Sequence, residues 1–361
     1  MKIKAAVAPG TGKPFEIQEV ELEDPRSNEV LVRIVGTGLC HTDLLFKDYL
    51  PIPLPAVYGH EGSGIVEKVG EGVTMVKPGD PVAISYNFCG MCNNCLAGMP
   101  FYCLNFTGLN YSGARADGSM PISKDGAPLF GSFFGQSSFA EFSLTTERNV
   151  VKVPEDVPLE ILGPLGCGIQ TGAGTVMNAL KVPAGSSIAV FGTGTVGLSA
   201  VMAAKVVGCT CIIGVDIKPQ RLEMAKEFGA THVINSAEKN PVGAIQSITG
   251  MGVNYSIETT AVPTVYRQAV EALDLTGECV LLGAPPMGTE VTFDMQTLLT
   301  GRKTRGVIEG DSVPQKIIPQ LIDLYKQGKF PFDKLIKFYD VKDINQAVAD
   351  SGEGVTIKPV I

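Results

Sequence analysis

The 361-residue sequence contains no tryptophan, only three histidines, and charged side chains at just 18%. Its lysines and arginines form no run, and 29 of them against 37 acidic residues leave a formal charge of −8. An extended nucleic-acid surface needs clustered basic side chains, so none is expected. The opening MKIKAAVAPGTGK has only Ala5 to Ala8 as an apolar run, too short for a signal-peptide core, and a cytoplasmic protein is expected. One uncharged stretch, Val182 to Ala204, approaches the length of a membrane span. The glycines and threonines of FGTGTVG interrupt it, so it reads as a buried strand, turn and helix, and no membrane partner is expected.

What is abundant is turn-forming. With 42 glycines, 24 prolines and 45% hydrophobic residues, the chain should be a packed globular protein of short elements, long enough for two domains. Residues 1 to about 150 alternate with period two, as in EVLVRIVG and GSGIVEKVG, which predicts a largely β domain. From about residue 185 strands and helices alternate: SSIAVF, GLSAVMAAKVVG, CIIGVD, PQRLEMAKEFG, THVIN, NYSIET, VPTVYRQAVEAL, ECVLLGA, TRGVIEG. That order predicts a doubly wound parallel sheet, an α/β class, with the segment after about residue 310 packing back on the first domain.

Nine cysteines without a secretion signal point to metal rather than disulfides. Cys89, Cys92, Cys95 and Cys103 form a C-x2-C-x2-C-x7-C array, four thiolates suited to one tetrahedral, fully ligated structural Zn²⁺. A redox dithiol or an iron–sulfur cluster is the rival use. Cys209, Cys211 and Cys279 lie in apolar runs and read as core. Cys40 in GTGLCHTD, His60 in YGHEGSG and Cys167 in GPLGCGIQTGAG are dispersed, and each alone has a bland reading. Together they are the ligand count of a catalytic zinc with one open position, where an alcohol would be acidified as water is, from about 16 to about 7. Two thiolates and one neutral imidazole would cancel the ion's charge.

IAVFGTGTVGLSA places Gly192, Gly194 and Gly197 in G-x-G-x-x-G order between a strand and a helix. Gly192 allows the tight turn, Gly194 a close approach of backbone to pyrophosphate, and Gly197 close helix–strand packing. Asp216, about twenty residues on at the end of the next strand, is placed to accept ribose hydroxyls. Its charge favours NAD(H); Lys218 and Arg221 keep NADP(H) open.

These residues together resemble the zinc-dependent medium-chain alcohol dehydrogenases across essentially the whole chain. GHEGSGIVEKVG is similar to the family's G-H-E-x2-G-x5-G signature, and PLPAVYGHEGSG, FFGQSSFAEF, LGPLGCGIQTGAG and GKFPFDKLIKFY resemble the branch acting on aryl and allylic alcohols, the benzyl alcohol type. The resemblance implies a GroES-like catalytic domain (1–168 and 308–361), carrying the structural zinc loop 89–103, and a Rossmann domain (169–307). It also implies two zinc ions per chain and a homo-oligomer, a tetramer or dimer. Asp43 would orient His60, and Glu61 would lie behind the metal. Thr42 would take the alcohol proton, Thr171 and Val196 would position the nicotinamide, and His41 with Lys358 would sit by the pyrophosphate.

One departure is Leu45, where many members carry the outer histidine of the proton relay; His41 is then the candidate to finish the transfer. Phe46, Tyr86 and Leu109 are candidates for an apolar substrate pocket, each equally readable as core. The expected reaction is reversible oxidation of a primary aromatic or allylic alcohol to its aldehyde with NAD⁺. The alternatives are an NADPH-dependent enal reductase on the same fold and a non-catalytic zinc protein that senses a dinucleotide.

Overall fold

The computed structural model describes residues 1–49 and 53–361. The chain forms two compact units, one of residues 1–167, 313–320 and 333–361, the other of residues 168–312 and 321–332.

The first unit is built on two five-stranded antiparallel sheets. One has the order Ala56–Val57, Lys2–Ala8, Glu16–Leu22, Ile122–Lys124, Ala127–Leu129, and the other Val150–Lys152, Pro81–Ile84, Gly62–Val69, Glu29–Thr37, Phe142–Thr146. The alternation read from the sequence is visible as burial: Val30, Val32, Val66, Val82 and Ile84 face one apolar cluster. A second cluster gathers Ile3, Val7, Val20 and Leu22 with Tyr58, Phe133, Phe134 and Phe139. This is the GroES-like β half-barrel that the resemblance implies.

The second unit holds a six-stranded parallel sheet in the order His232–Asn235, Cys211–Asp216, Ser187–Phe191, Val253–Glu258, Leu273–Leu281, Lys303–Gly306. Numbered along the chain this is 3-2-1-4-5-6, the Rossmann order. Its two strands Ser187–Phe191 and Cys211–Asp216 are near-continuous buried runs, as expected where both faces of a parallel sheet are covered, while the edge strand Lys303–Gly306 is polar and partly exposed. The uncharged stretch folds as a buried strand, Ser187–Phe191, and helix, Thr195–Val207. Gly208 ends that helix in a left-handed cap, its N–H reaching Ala204 and Lys205 carbonyls. Among the described residues no helix is long and apolar enough to cross a membrane.

One helix beyond the segments quoted above, Pro241–Thr249, starts at Asn240. The Asn240 side chain accepts from the Val242 and Gly243 amides, and Pro241 fills the first helical position, where no N–H is needed.

Candidate active site

Cys40 is the N-cap of the helix His41–Asp48, and its amide donates to Asp43 Oδ2 at 2.9 Å. The other oxygen, Asp43 Oδ1, accepts from the Gly59 amide (3.0 Å) and from His60 Nδ1 (2.8 Å). One buried carboxylate therefore ties together two segments twenty positions apart in the chain, Cys40 and His60. Gly59 has φ +95, and a Cβ there would strike the Phe139 backbone, so the turn into His60 requires glycine. Because a carboxylate only accepts, a ring proton sits on Nδ1 and Nε2 is left to bind something else. Nε2 is buried and has no hydrogen-bond partner among the described residues.

That orphaned nitrogen faces a donor set. One ligand atom each from Cys40, His60, Glu61 and Cys167 lies within 4.8 Å of the others. Cys167 arrives through the turn Gly163–Gly166, which runs so close to Glu61 O and Ile84 O that neither glycine could carry a side chain. The Cys167 thiol and then His60 hold the Cys40 thiol well below its ordinary range. Burial alone would depress His60, but the Asp43 carboxylate and Cys40 outweigh it and raise the imidazole well above its usual value. The first shift favours a thiolate at Cys40 and the second an imidazolium at His60, two opposite charges that stabilise each other. The residues fit a dication held by two sulfurs and an imidazole.

Glu61 is fully buried beside His60, and burial pushes its carboxyl up against the pull of Lys358. Lys358, expected at a pyrophosphate, donates from Nζ to Glu61 Oε2 (2.7 Å), Glu61 Oε1 (2.9 Å) and Leu39 O (3.0 Å). An ammonium has three protons, and all three are used. A carboxylate buried away from water requires a counter-charge, and Lys358 supplies it. Thr42 is half-buried with Oγ1 3.7 Å from Cys40 Sγ, His41 is exposed at the helix start, and Leu45 is buried.

An aromatic wall that the sequence did not assign surrounds His60. Phe134 stacks on the imidazole at 4.4 Å and 22°, and Phe133 meets it edge-on at 5.5 Å. Phe134 has φ 52 and ψ 30, a left-handed conformation that costs a side-chain-bearing residue about 1–2 kcal/mol. No sequence signal marks a bulky aromatic for that region. Gln136 clamps the same turn, donating to His60 O (2.9 Å) and accepting from the Gly62 amide (3.1 Å). Of the proposed pocket residues, Phe46 packs on Tyr111 at 4.5 Å and on Phe133 at 5.2 Å, Leu109 is partly buried against the same core, and Tyr86 is fully buried between Phe88 and Phe106. Tyr86 as placed is core.

The second donor set, Cys89, Cys92, Cys95 and Cys103, also lies within 4.8 Å. Four thiolates about 2.3 Å from a tetrahedral zinc stand about 3.8 Å apart. Here Cys89 and Cys95 sulfurs are 3.9 Å apart, and those of Cys92 and Cys103 are 4.0 Å apart. Backbone amides of Cys89, Cys92 and Leu104 point at cysteine sulfurs. Burial opposes ionisation of Cys89, yet the Met91 and Cys92 amides outweigh it and hold the thiol down to about 6. This set fits a tetrahedral dication with no open position. All nine cysteines are unbridged, and Cys209, Cys211 and Cys279 lie apart from both sets.

In the second unit Gly192 has φ +88, and a Cβ on Gly197 would meet the Gly192 carbonyl, while no described atom lies within 4 Å of a Cβ on Gly194. Asp216 sits at the end of its strand, but its oxygens already have protein partners. Oδ2 accepts from Thr193 N (2.7 Å) and Oγ1 (3.0 Å), and Oδ1 accepts from the Ile217 (2.8 Å) and Lys218 (3.0 Å) amides. The carboxylate that sequence reading gave to a ribose also braces the glycine turn. Lys218 and Arg221 are half-buried close by in sequence, and Arg221 Nε is buried with no hydrogen-bond partner among the described residues. Thr171 donates its hydroxyl to Glu309 at 3.4 Å, and Val196 lies in the first turn of the helix after the glycines.

Residues 26–155 match the alcohol dehydrogenase GroES-like domain and residues 195–327 match the zinc-binding dehydrogenase family. The sequence is 44% identical to a geraniol dehydrogenase of Castellaniella defragrans over 99% of this chain and 97% of that one. The solved benzyl alcohol dehydrogenase of Acinetobacter calcoaceticus is 52% identical with a TM-score of 0.97, over 100% of this chain and 99% of that one. An alcohol dehydrogenase zinc-binding domain protein of Burkholderia ambifaria is 53% identical with a TM-score of 0.98, over 100% and 98%. With two sulfur-rich donor sets, a Rossmann sheet and this degree of likeness, the chain belongs to the zinc-dependent medium-chain alcohol dehydrogenases.

Proposed function

We propose that this chain reversibly oxidises a primary aromatic or allylic alcohol to its aldehyde with NAD⁺. The observation that carries the reading is the buried His60 Nε2, without a hydrogen-bond partner among the described residues and within 4.8 Å of the Cys40 and Cys167 donors. When held by Cys40, His60 and Cys167, zinc supplies Lewis-acid chemistry that makes a substrate hydroxyl more acidic, and a nicotinamide supplies the hydride acceptor.

The chain's own groups do the rest. Asp43 keeps a proton on His60 Nδ1, so that Nε2 stays free for the metal. Thr42 takes the hydroxyl proton as it gives up its own, and His41, exposed one residue away, delivers the relayed proton to solvent because Leu45 cannot. Phe133 and Phe134 pack on His60, and Phe46 and Tyr111 pack on one another and on those two rings, an aromatic surrounding that supports a planar, unsaturated substrate. The relatives named for geraniol and benzyl alcohol support the same class. Cys89, Cys92, Cys95 and Cys103 hold the second, structural zinc. Gly192, Gly194, Gly197 and Asp216 bind the dinucleotide, and Thr171 and Val196 position its nicotinamide.

The cysteine thiols of both donor sets must stay reduced to bind metal, which supports a cytoplasmic location. Exposed Met287, Met295 and Leu299, close in sequence to the edge strand Lys303–Gly306, support contact with further copies of the chain. The test is a panel of benzyl, cinnamyl, geranyl and short aliphatic alcohols with NAD⁺ and NADP⁺, alongside a zinc count. Aromatic and allylic substrates should give the highest kcat/KM with NAD⁺ and two zinc ions per chain; a preference for short aliphatic alcohols overturns the substrate class.

A further inference from the structure

The Asp43 hydrogen bond fixes one edge of the His60 ring, but a single contact at Nδ1 leaves the ring able to tilt about that contact. Phe134 removes the freedom: its ring lies over the imidazole at 4.4 Å with only 22° between the planes, while Phe133 closes the side at 5.5 Å and 85°. We propose that Phe134 is the positioning residue that holds the His60 imidazole in its metal-binding orientation, and that the left-handed turn at Phe134 and Gly135 serves to place its ring. The inference rests on the reading of His60 as a metal ligand.

The backbone argues that this contact is more than filling. A bulky aromatic in the left-handed region is an outlier, and such outliers persist only where the surroundings over-determine them. Here they do. Phe134 O accepts from Asn149 Nδ2 at 3.0 Å, and Asn149 also donates to Ser85 O at 3.1 Å. Gly135, itself at φ 64, leaves space for the amide groups of Asn87 and Asn149, which a Cβ would enter. The Gln136 and Ser137 amides both donate to Phe133 O at 3.0 Å. Ring contacts from Phe133 (5.0 Å), Tyr111 (5.4 Å) and Phe106 (6.5 Å) hold Phe134 from other directions. A core aromatic needed only for volume has no reason to occupy a strained turn whose free face covers an imidazole.

The test compares Phe134→Leu and Phe134→Met, which keep most of the volume but lose the flat face, with Phe134→Tyr, which keeps it. Phe15→Leu is the packing control: Phe15 is buried and meets Phe139, not His60. Each zinc-loaded protein is challenged with a chelator, zinc release is followed in time, and the cobalt-substituted protein gives a visible spectrum that reports ligand geometry. Phe134→Leu and Phe134→Met should release one of the two zinc equivalents about tenfold faster or more and shift the cobalt bands. Phe134→Tyr should behave as wild type, and Phe15→Leu should lower Tm without changing release. Unaltered release and spectra in both Phe134→Leu and Phe134→Met, or equal acceleration in Phe15→Leu, overturns the proposal. A wild-type chain holding one zinc, or His60→Ala retaining both, instead overturns the metal reading on which it rests.

Discussion

Lys358 and Glu61, 297 residues apart in sequence, form a buried ion pair in which both carboxylate oxygens lie within 2.9 Å of the ammonium nitrogen. Burial would lower the Lys358 value, but Glu61 outweighs it and raises it. Removing one partner of such a pair strands the other charge, at a cost of about 3–5 kcal/mol, whereas removing both can be nearly neutral. Lys358→Met should therefore lower the urea midpoint sharply, and Lys358→Met combined with Glu61→Gln should recover most of the loss. A single variant as stable as wild type would show that the pair is dispensable.

Asp216 divides its carboxylate between the glycine turn and, in the proposed function, a ribose. Hydrogen bonds to a charged group contribute about 1.5–3 kcal/mol. Asp216→Ser should raise the KM for NAD⁺ about tenfold or more and narrow the preference over NADP⁺, since one negative charge no longer repels a 2′-phosphate. If KM stays unchanged while Tm falls, the residue serves the turn alone.

From Cys89 to Leu104 no side chain is charged apart from any cysteine thiolate, yet Met91, Leu96 and Leu104 are largely exposed, at 71%, 74% and 69%. Phe101 is buried, but with so many of its other large apolar side chains turned outward this lobe leans heavily on its metal. Cys92→Ser should lose one zinc per chain, open the lobe to proteolysis, and lower Tm by about 5 °C or more, while the Cys40, His60 and Cys167 site keeps its ion. Retention of both ions would contradict this.

Asp350 accepts from Tyr339 Oη (2.6 Å), Gln346 (2.6 Å) and Lys337 (3.0 Å), and these hold its carboxyl down to about 2 from an ordinary 3.8. A carboxyl whose folded value is depressed stabilises the fold above its unfolded value, and that contribution fades as pH falls through the folded one. Asp350→Asn should consequently have a lower Tm at about pH 7, with the gap to wild type shrinking between pH 3.8 and about 2. A gap that widens on acidification would reverse the sign of the assignment.

Much of the site was legible because the chemistry restricts the alphabet. Only cysteine and histidine serve as the soft ligands at positions 40, 60 and 167, and a strand–GxGxxG–helix run has few other uses. The alternation of strands and helices pointed to the class of the second unit, although the 3-2-1-4-5-6 order is a property of the folded sheet. What could not be read depended on burial from distant chain. Nothing in TIKPVI shows that Lys358 meets Glu61, and nothing in YNFCG shows that Tyr86 is enclosed. Phe134 escaped because its backbone conformation is one its residue type disfavours, so local preference points away from the truth. The helix Pro241–Thr249 is a different case, since its Asn-Pro start is a local signal that the broader pattern of strands and helices overshadowed.

The bond pair at Asp43 makes positions 40 and 60 a single graftable part. A chimera with a relative whose crossover falls between residues 44 and 58 separates the carboxylate from the imidazole it aligns. Where the parents differ at either position, a junction inside that interval should cost metal binding even when they are otherwise alike.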